Sequence, residues 1–250
     1  MRCMQLRNLF LFALAIGLCI ISCTKDKEDN YAVVSGKEYL PMQVGAVQLY
    51  RLDSIVPTAF GVRLDTSYYL AKDSVTLQTL DATGDTVFFV DRFITDTLQS
   101  QSWTLATTYQ VVYTKNTIDL IQVDGKRFIK LTTPVRDGYA WDGNQYILAG
   151  SGSSDSNYAY YGWNYLYDSV GQAYTTQYAS YAQTAIVQEI NDLPAFDPTT
   201  YNSGKFAQEV YAKGTGLIYQ NIFFYIYQPP TSSAGNYDLR SFGIRLTRLQ

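Results

Sequence analysis

The chain contains few residues suited to catalysis, because none of its 250 residues is a histidine. Nucleophiles assisted by histidine, histidine acid/base pairs and histidine-ligated transition metals are therefore excluded. A carboxylate pair of the glycosidase type, or a Ser/Lys or Tyr-based site, remains available. The glutamates that could supply such a pair are Glu28, Glu38, Glu189 and Glu209. Nothing in their spacing selects two of them, so we expect a protein that is not an enzyme and uses no cofactor.

One cluster of oxygen ligands could suit calcium, because Asp137, Asp142 and Asn144 lie close together beside glycines. Their spacing is not that of an EF-hand loop. Aspartate, asparagine and glycine also gather wherever two strands turn. We interpret these residues as turn formers and predict no metal site.

Cys23 could carry a different chemistry, since it follows an apolar run near the amino terminus. Arg2 and Arg7 form a basic head, residues 9–21 are mainly apolar, and Ser22 precedes the cysteine. The run is too short to span a bilayer, which requires about 20 residues. This pattern predicts a secretory signal at residues 1–22. Its last four residues, IISC at positions 20–23, resemble the bacterial lipobox. The resemblance implies cleavage after Ser22, thioether lipidation of Cys23 and acylation of the new amino terminus by chains such as palmitate.

The composition beyond the signal is typical of an exported globular domain. The formal net charge of the whole chain is −3, and removal of two arginines makes it more negative. No basic cluster is present to neutralise phosphates, which argues against nucleic acid as a partner. The cysteines are Cys3, Cys19 and Cys23. The domain itself would have no disulfide, and its partner would be the membrane, through the lipid anchor.

A charged segment without hydrophobic residues follows Cys23, at residues 24–30. Such a segment cannot bury enough apolar surface to fold, so we predict a flexible tether at residues 23–38. A single β-rich domain at residues 39–250 would follow it. The acidic residues of the tether resemble the acid-rich stretch of surface-exported lipoproteins of the Bacteroidota. The expected location is the outer membrane, on either its periplasmic or its cell-surface face.

Alternation with a period of two residues is the main secondary-structure signal after residue 44. It recurs at residues 47–56, 62–70, 87–94 and 244–249. Asp124-Gly125 predicts a hairpin with a type I′ turn between residues 118–123 and 127–131. We predict a mostly β fold with little helix, in which an antiparallel meander forms a barrel, a half-barrel or a sandwich.

Two segments depart from simple alternation. Residues 218–227 carry apolar side chains on both faces, which predicts a strand in the middle of a sheet, covered on both sides. Residues 178–190 fit a helix and a strand equally well, and the sequence leaves both open.

Several motifs of the domain are similar to those of poorly characterised Bacteroidota lipoproteins. They are YLPMQVG at residues 39–45, WDGN at residues 141–144 and EVYAKGTGLIY at residues 209–219. The resemblance implies a lipoprotein with a β-rich domain, and it carries over no activity.

A row of aromatic residues is the best candidate for a binding surface. Tyr161, Trp163, Tyr165 and Tyr167 share one parity, so in a strand their rings would follow one face for about 20 Å. If exposed, the row would stack on the flat faces of sugars or anchor a protein partner. The alternative is that the rings cover the core or pair across strands.

These features favour a non-catalytic, lipid-anchored binding protein of the cell envelope, with a glycan or an envelope protein as ligand. Two alternatives remain open: a structural component of an outer-membrane complex, and a carrier that holds an apolar ligand inside a β-barrel. A continuous apolar cavity would favour the carrier, whereas a solvent-exposed aromatic row would favour the glycan-binding protein.

Overall fold

Antiparallel strands make up most of the domain, as the alternation predicts. The computed structural model describes residues 33–148, 157–231 and 234–249. Six strands come from the first half of the chain: β1 (Val47–Thr58), β2 (Arg63–Leu80), β3 (Thr86–Asp96), β4 (Thr104–Tyr113), β5 (Thr117–Ile121) and β6 (Arg127–Thr132). The second half adds β7 (Ala140–Trp141), β8 (Tyr165–Thr175), β9 (Ser180–Asp192), β10 (Asn202–Ala212), β11 (Gly216–Gln228), β12 (Asn236–Tyr237) and β13 (Phe242–Arg248). One short α-helix, α1 (Gly36–Tyr39), precedes them. Two 3₁₀ turns, Ala59–Gly61 and Tyr158–Tyr160, complete the described elements.

The strands form one antiparallel sheet in the order β6-β5-β4-β3-β2-β1-β13-β11-β10-β9-β8-β7, and β12 pairs with β11 off this path. The sheet curls into a nearly closed barrel. Neighbours in the sheet are neighbours in the chain almost everywhere, which makes the fold a meander. One exception is β11, which pairs with β13 because the two-residue β12 lies off the path. The other is β1, which pairs with β13 and brings the two ends of the domain together. The predicted mostly β fold is confirmed, and the barrel is its form.

The barrel closes where β6 faces β7 and β8, and side chains and a loop replace a continuous ladder there. The hydroxyl of Tyr167 accepts a hydrogen bond from the Thr132 amide at 2.9 Å and donates one to the Thr132 carbonyl at 2.8 Å. The Ile129 amide donates to the Gly143 carbonyl at 2.7 Å. The indole of Trp141 donates to the Ile129 carbonyl at 2.8 Å. We refer to these contacts as the seam.

Helix α1 lies at one end of the barrel, and it corrects the predicted boundary between tether and domain. Ser35 caps the helix and forms a capping box with Glu38. The Val34 carbonyl accepts a hydrogen bond from the Val135 amide at 2.9 Å. The folded unit therefore begins before residue 39, at Val33. The sequence Ser-Gly-Lys-Glu, assigned to the tether because it is polar, is a helix start of the capping-box type.

The Asp124-Gly125 hairpin joins β5 to β6 as predicted, but the type I′ turn is wrong. That turn needs a positive φ at two residues, and in this loop only Gly125 has one, at 82°. The Gln122 amide donates to the Lys126 carbonyl at 2.9 Å. Three residues therefore form the loop, and a left-handed glycine ends it, which is the next most common hairpin type.

The two ambiguous segments are both strands. Residues 180–192 form β9, so the helix alternative for residues 178–190 is wrong. The segment 218–227 lies in β11, between β10 and β13, as predicted for a central strand. On the outer face of β11, Tyr225 and Tyr227 pack against the ring of Phe196. Its inner face contributes Ile222 to the barrel interior.

The main apolar cluster fills the barrel interior next to α1. It contains Tyr39 of the helix together with inward residues from both halves of the barrel, among them Val75, Phe88, Val111, Leu131, Tyr165, Val187 and Tyr211. This packing closes the interior on the side of α1. It leaves space farther along the barrel.

Candidate binding cavity

A cavity of about 340 Å³ occupies the barrel interior beyond the main cluster. Its apolar wall is formed by Phe128, Tyr160, Trp163, Ile222, Phe242 and Ile244. Polar side chains complete the lining, among them Thr107 of β4 and Gln220 of β11. Val123, in the loop between β5 and β6, also lines the cavity and is 80% exposed, which places a mouth at that hairpin. The volume lies at the lower end of the range for small-molecule sites, about 300–1,000 Å³.

A buried cluster of three charged residues lies in the wall of the cavity. The Lys130 ammonium contacts Glu189 Oε1 and lies 2.8 Å from Glu209 Oε1. Glu209 also accepts hydrogen bonds from the Gln220 amide and from the Tyr211 hydroxyl. The Glu189 and Glu209 side chains are 0% and 1% exposed. One buried cation therefore faces two buried carboxyl groups.

This imbalance changes the acid/base properties of the cluster. Burial, and after it the Glu209 carboxylate, raise the pKa of Glu189 to about 8, although Lys130 opposes the shift. Burial alone would lower the pKa of Lys130, but the two glutamates raise it above its usual value. At neutral pH Glu189 is thus largely protonated beside the Lys130 cation. That arrangement avoids an unbalanced charge in the interior.

A second ion pair, largely buried, reaches the cavity through Arg92. The Arg92 guanidinium makes two parallel hydrogen bonds of 2.6 Å to the Asp73 carboxylate. The Tyr109 hydroxyl donates to the same carboxylate at 3.0 Å. Burial acts to lower the pKa of Arg92, but Asp73 keeps it above its usual value. Arg92 therefore stays charged, and Asp73 already engages it.

The aromatic row does not form an exposed platform. Trp163 is 6% exposed, and Tyr165 and Tyr167 are fully buried, whereas Tyr161 is half-buried. The Tyr161 hydroxyl donates to the Leu148 carbonyl at 3.0 Å. The four rings do not follow one strand, because β8 begins at Tyr165 and only Tyr165 and Tyr167 lie in it. Tyr165, Tyr167 and the preceding Trp163 point into the barrel and not to solvent.

Each buried side chain of the row makes a hydrogen bond within the protein. Trp163 donates its indole proton to the Ala159 carbonyl at 2.9 Å. Tyr165 donates its hydroxyl proton to Asn144 Oδ1 at 2.9 Å, and Tyr167 closes the seam. Of the four residues predicted to bind a ligand, Trp163 alone lines the cavity. A role in binding would therefore come from inside the barrel.

Of the acidic residues considered as calcium ligands, Asp142 acts in a turn and Asp137 bonds strand β8. Asp137 Oδ1 accepts a hydrogen bond from the Val170 amide at 2.5 Å, and Asp142 Oδ1 accepts one from the Asn144 amide at 3.1 Å. Throughout residues 33–148, 157–231 and 234–249, no three metal-ligating side chains come together. Cys23, the predicted lipidation site, lies outside the described residues. In the described part of the chain, no helix has the length and apolar character needed to cross a membrane.

Sequence reasoning did not find the buried charged cluster, although a signal for it exists. Glu189 shares its parity in β9 with Ala185 and Val187, which are fully buried. Lys130 stands between Ile129 and Leu131 in a six-residue strand whose other buried positions number four. A charged residue at an apolar parity indicates a buried ion pair. Only the fold shows which two carboxyl groups share the lysine.

No family model matches the chain, and no curated protein does either. Among solved structures, a similarity is found to a Bacteroides fragilis protein with a YmcC-like fold, itself a candidate exported protein. The two chains are 9% identical, the alignment covers 85% of this chain and 99% of the other, and the TM-score is 0.36. A likeness at this level does not establish a shared fold. The class to which we assign the chain, an antiparallel β-barrel with an internal cavity, rests on its strand pairing.

Proposed function

We propose that this protein is a lipid-anchored, non-catalytic carrier of the cell envelope that holds a small, largely apolar ligand inside its barrel. The proposal rests on the cavity of about 340 Å³, whose wall consists largely of aromatic and aliphatic side chains. The burial of Trp163, Tyr165 and Tyr167 removes the exposed row on which a surface glycan site would depend. The internal site is thus the better supported of the binding alternatives.

The arrangement of the two glutamates supports a non-catalytic function. Retaining glycosidases place two carboxyl groups about 5–5.5 Å apart on either side of the scissile bond. Here the Lys130 ammonium bonds both carboxyl groups and occupies the space between them. Glu189 lines the cavity, but Glu209 is not among its lining residues. A substrate in the cavity would therefore meet one carboxyl group.

The lipid anchor rests on the lipobox resemblance at residues 20–23, and the outer membrane is its proposed location. A carrier held there by acyl chains would take up its ligand without leaving the membrane surface. Two or more acyl chains suffice for stable attachment, whereas one does not.

A pair of tryptophan substitutions on one strand tests the cavity. Thr107 of β4 lines the cavity, whereas Thr104 of the same strand is exposed. Thr107→Trp should fill the cavity and reduce the binding of the neutral fluorescent probe N-phenyl-1-naphthylamine at least tenfold. Thr104→Trp should leave probe binding unchanged, and circular dichroism should report the same barrel in both variants. Equal probe affinity in the two variants would refute an internal site.

A further inference from the structure

The charged side chains around the cavity are unbalanced in favour of carboxyl groups. Two cations, Arg92 and Lys130, are paired with three carboxyl groups, those of Asp73, Glu189 and Glu209. A further carboxylate of the lining, Asp124, is paired with Lys126. Arg92 is engaged by Asp73 through both of its parallel hydrogen bonds. Lys130 is engaged by both glutamates. Neither cation is therefore available to an anionic ligand, and the carboxyl groups outnumber the cations.

Among these three carboxyl groups, Glu189 is the one with an oxygen atom that has no partner. Its side chain belongs to the lining of the cavity and is completely buried. Oε1 receives the Lys130 ammonium, whereas Oε2 has no hydrogen-bond partner among the residues that the structure describes. A buried polar atom without a partner is rare in folded proteins and calls for a reason. A ligand that donates a hydrogen bond would supply the partner.

The aromatic side chains that line the cavity also favour a cationic ligand. Phe128, Tyr160 and Trp163 surround the space next to Glu189. The Lys130 ammonium already lies 5.7 Å from the ring centre of Phe128 and 5.6 Å from that of Tyr165. Aromatic faces attract cations electrostatically, most strongly where water is excluded. The same faces pack against an apolar body.

We propose that the cavity binds an organic cation, a molecule with an apolar or aromatic body and a protonated amine that pairs with Glu189. This inference rests on the proposed carrier function and names its ligand class. An acid such as a fatty acid is disfavoured, because its carboxylate would meet an excess of carboxyl groups and no free cation. A neutral alcohol would occupy the apolar space without the charge pairing.

Proton release follows from this pairing. Glu189 is held mostly protonated at pH 7, since burial and Glu209 raise its pKa to about 8. The titratable groups that interact with it are Lys130 of β6, Tyr160 before β8, Tyr165 of β8, and Glu209 and Tyr211 of β10. The tyrosines stay neutral, because burial raises the pKa of each above its usual value. An arriving ammonium group would therefore expel the Glu189 proton.

Three probes of one shape test the proposal by calorimetry on the full mature protein: 4-phenylbutylamine, 4-phenylbutanol and 4-phenylbutyrate. At pH 8.5 the amine should bind at least tenfold more tightly than the alcohol, and the acid should bind most weakly. Below pH 8 the affinity for the amine should fall by up to tenfold per pH unit. In two buffers of different ionisation enthalpy at pH 7, close to one proton should be released per amine bound. The proton count uses the unmodified protein and needs no variant.

Glu189→Gln keeps the shape of the side chain and removes its charge. In this variant the affinity for the amine should drop to that of the alcohol, and the affinity for the alcohol should not change. Equal binding of amine and alcohol by the unmodified protein, or amine binding without proton release, would overturn the cation inference and leave the internal site intact. Binding of the acid in preference to the amine would overturn it as well. If no probe binds and Thr107→Trp also changes nothing, both the ligand class and the carrier function fail.

Discussion

At the scale of single residues, the buried Glu189 makes stability depend on pH in an unusual direction. Its pKa is about 8 in the folded protein, against a usual value of 4.5. Between these values the folded state keeps a proton that the unfolded state has lost, so stability falls as the pH rises. The raised pKa of Lys130 adds nothing in this window, because lysine is protonated in both states there.

Glu189→Gln should remove this dependence. In the unmodified protein, the free energy of unfolding from urea titrations should fall between pH 5 and pH 8 by up to about 1.4 kcal/mol per pH unit. The variant should give a flat profile over that range. Glu38→Gln is the control, since Glu38 is a surface carboxyl with a lowered pKa, and it should keep the fall. A fall that persists in Glu189→Gln would mean that another group carries the proton.

Trp163 offers a second test at this scale. It is buried at 6% exposure, and its indole proton is bonded to the Ala159 carbonyl. Trp163→Ala should therefore reduce stability by about 3–5 kcal/mol, as for other large buried side chains. Trp103→Ala is the matched control, since Trp103 is only partly buried and lies under the Lys72 ammonium. A loss below about 0.5 kcal/mol for Trp163 would mean that the ring is exposed in solution.

At the scale of elements, one hydroxyl group makes two of the four hydrogen bonds of the seam. The Tyr167 hydroxyl satisfies both the amide and the carbonyl of Thr132, which are buried. Tyr167→Phe removes both hydrogen bonds and keeps the ring. It should reduce stability by about 1–3 kcal/mol, the range for leaving buried polar groups unpaired.

The control for this change is Tyr68→Phe, which removes a hydroxyl from a tyrosine that is 53% exposed. Its effect should stay within about 0.5 kcal/mol. Denaturant unfolding of the two variants decides the matter. Equal stability of both would mean that the seam is held by the loop contact between Ile129 and Gly143.

The strands could be predicted from the sequence, because the alternation of apolar and polar residues in a strand depends only on the residues of that strand. The alternation at residues 47–56 and 87–94 is a property of single segments, and both are strands. The alternation ends at residue 70 in the sequence, whereas β2 continues to Leu80. The polar residues Lys72, Asp73 and Ser74 interrupt the apolar pattern, although Asp73 is buried. The aromatic row shows the limit of the method. Parity tells which side chains share a face, but whether that face is inside depends on how the sheet curls.

The cavity could not be predicted in the same way, since its lining comes from strands far apart in the chain. Lys130 and Glu189 are 59 residues apart in sequence and in contact in the barrel. Their meeting requires the curl of the sheet and the closure at the seam. The sequence can only indicate that each charge stands at an apolar parity.

At the scale of the whole molecule, Cys23 should decide where the protein resides. Cys23→Ala should release the protein from the membrane fraction and remove acyl mass from its amino-terminal peptide, because the thioether bond needs this sulfur. Cys19→Ala, which changes a cysteine inside the predicted leader, should leave both unchanged. Mass spectrometry of the amino-terminal peptide and fractionation give the measurement. Lipid labelling that persists in Cys23→Ala would exclude this anchor.

The pairing of β1 with β13 has a topological consequence. The Leu249 amide donates to the Leu49 carbonyl at 2.8 Å, so the two ends of the barrel sequence are adjacent. A circular permutant that starts before β7, ends after β6 and joins residue 249 to residue 33 through a linker would keep α1. Apart from β12, its strands would follow in the chain the order that they have in the sheet. The ladder between β13 and β1 would become local, and the average sequence separation of contacts would fall. Such a chain should reach the same barrel and fold faster than the natural order, because closing a long loop slows folding.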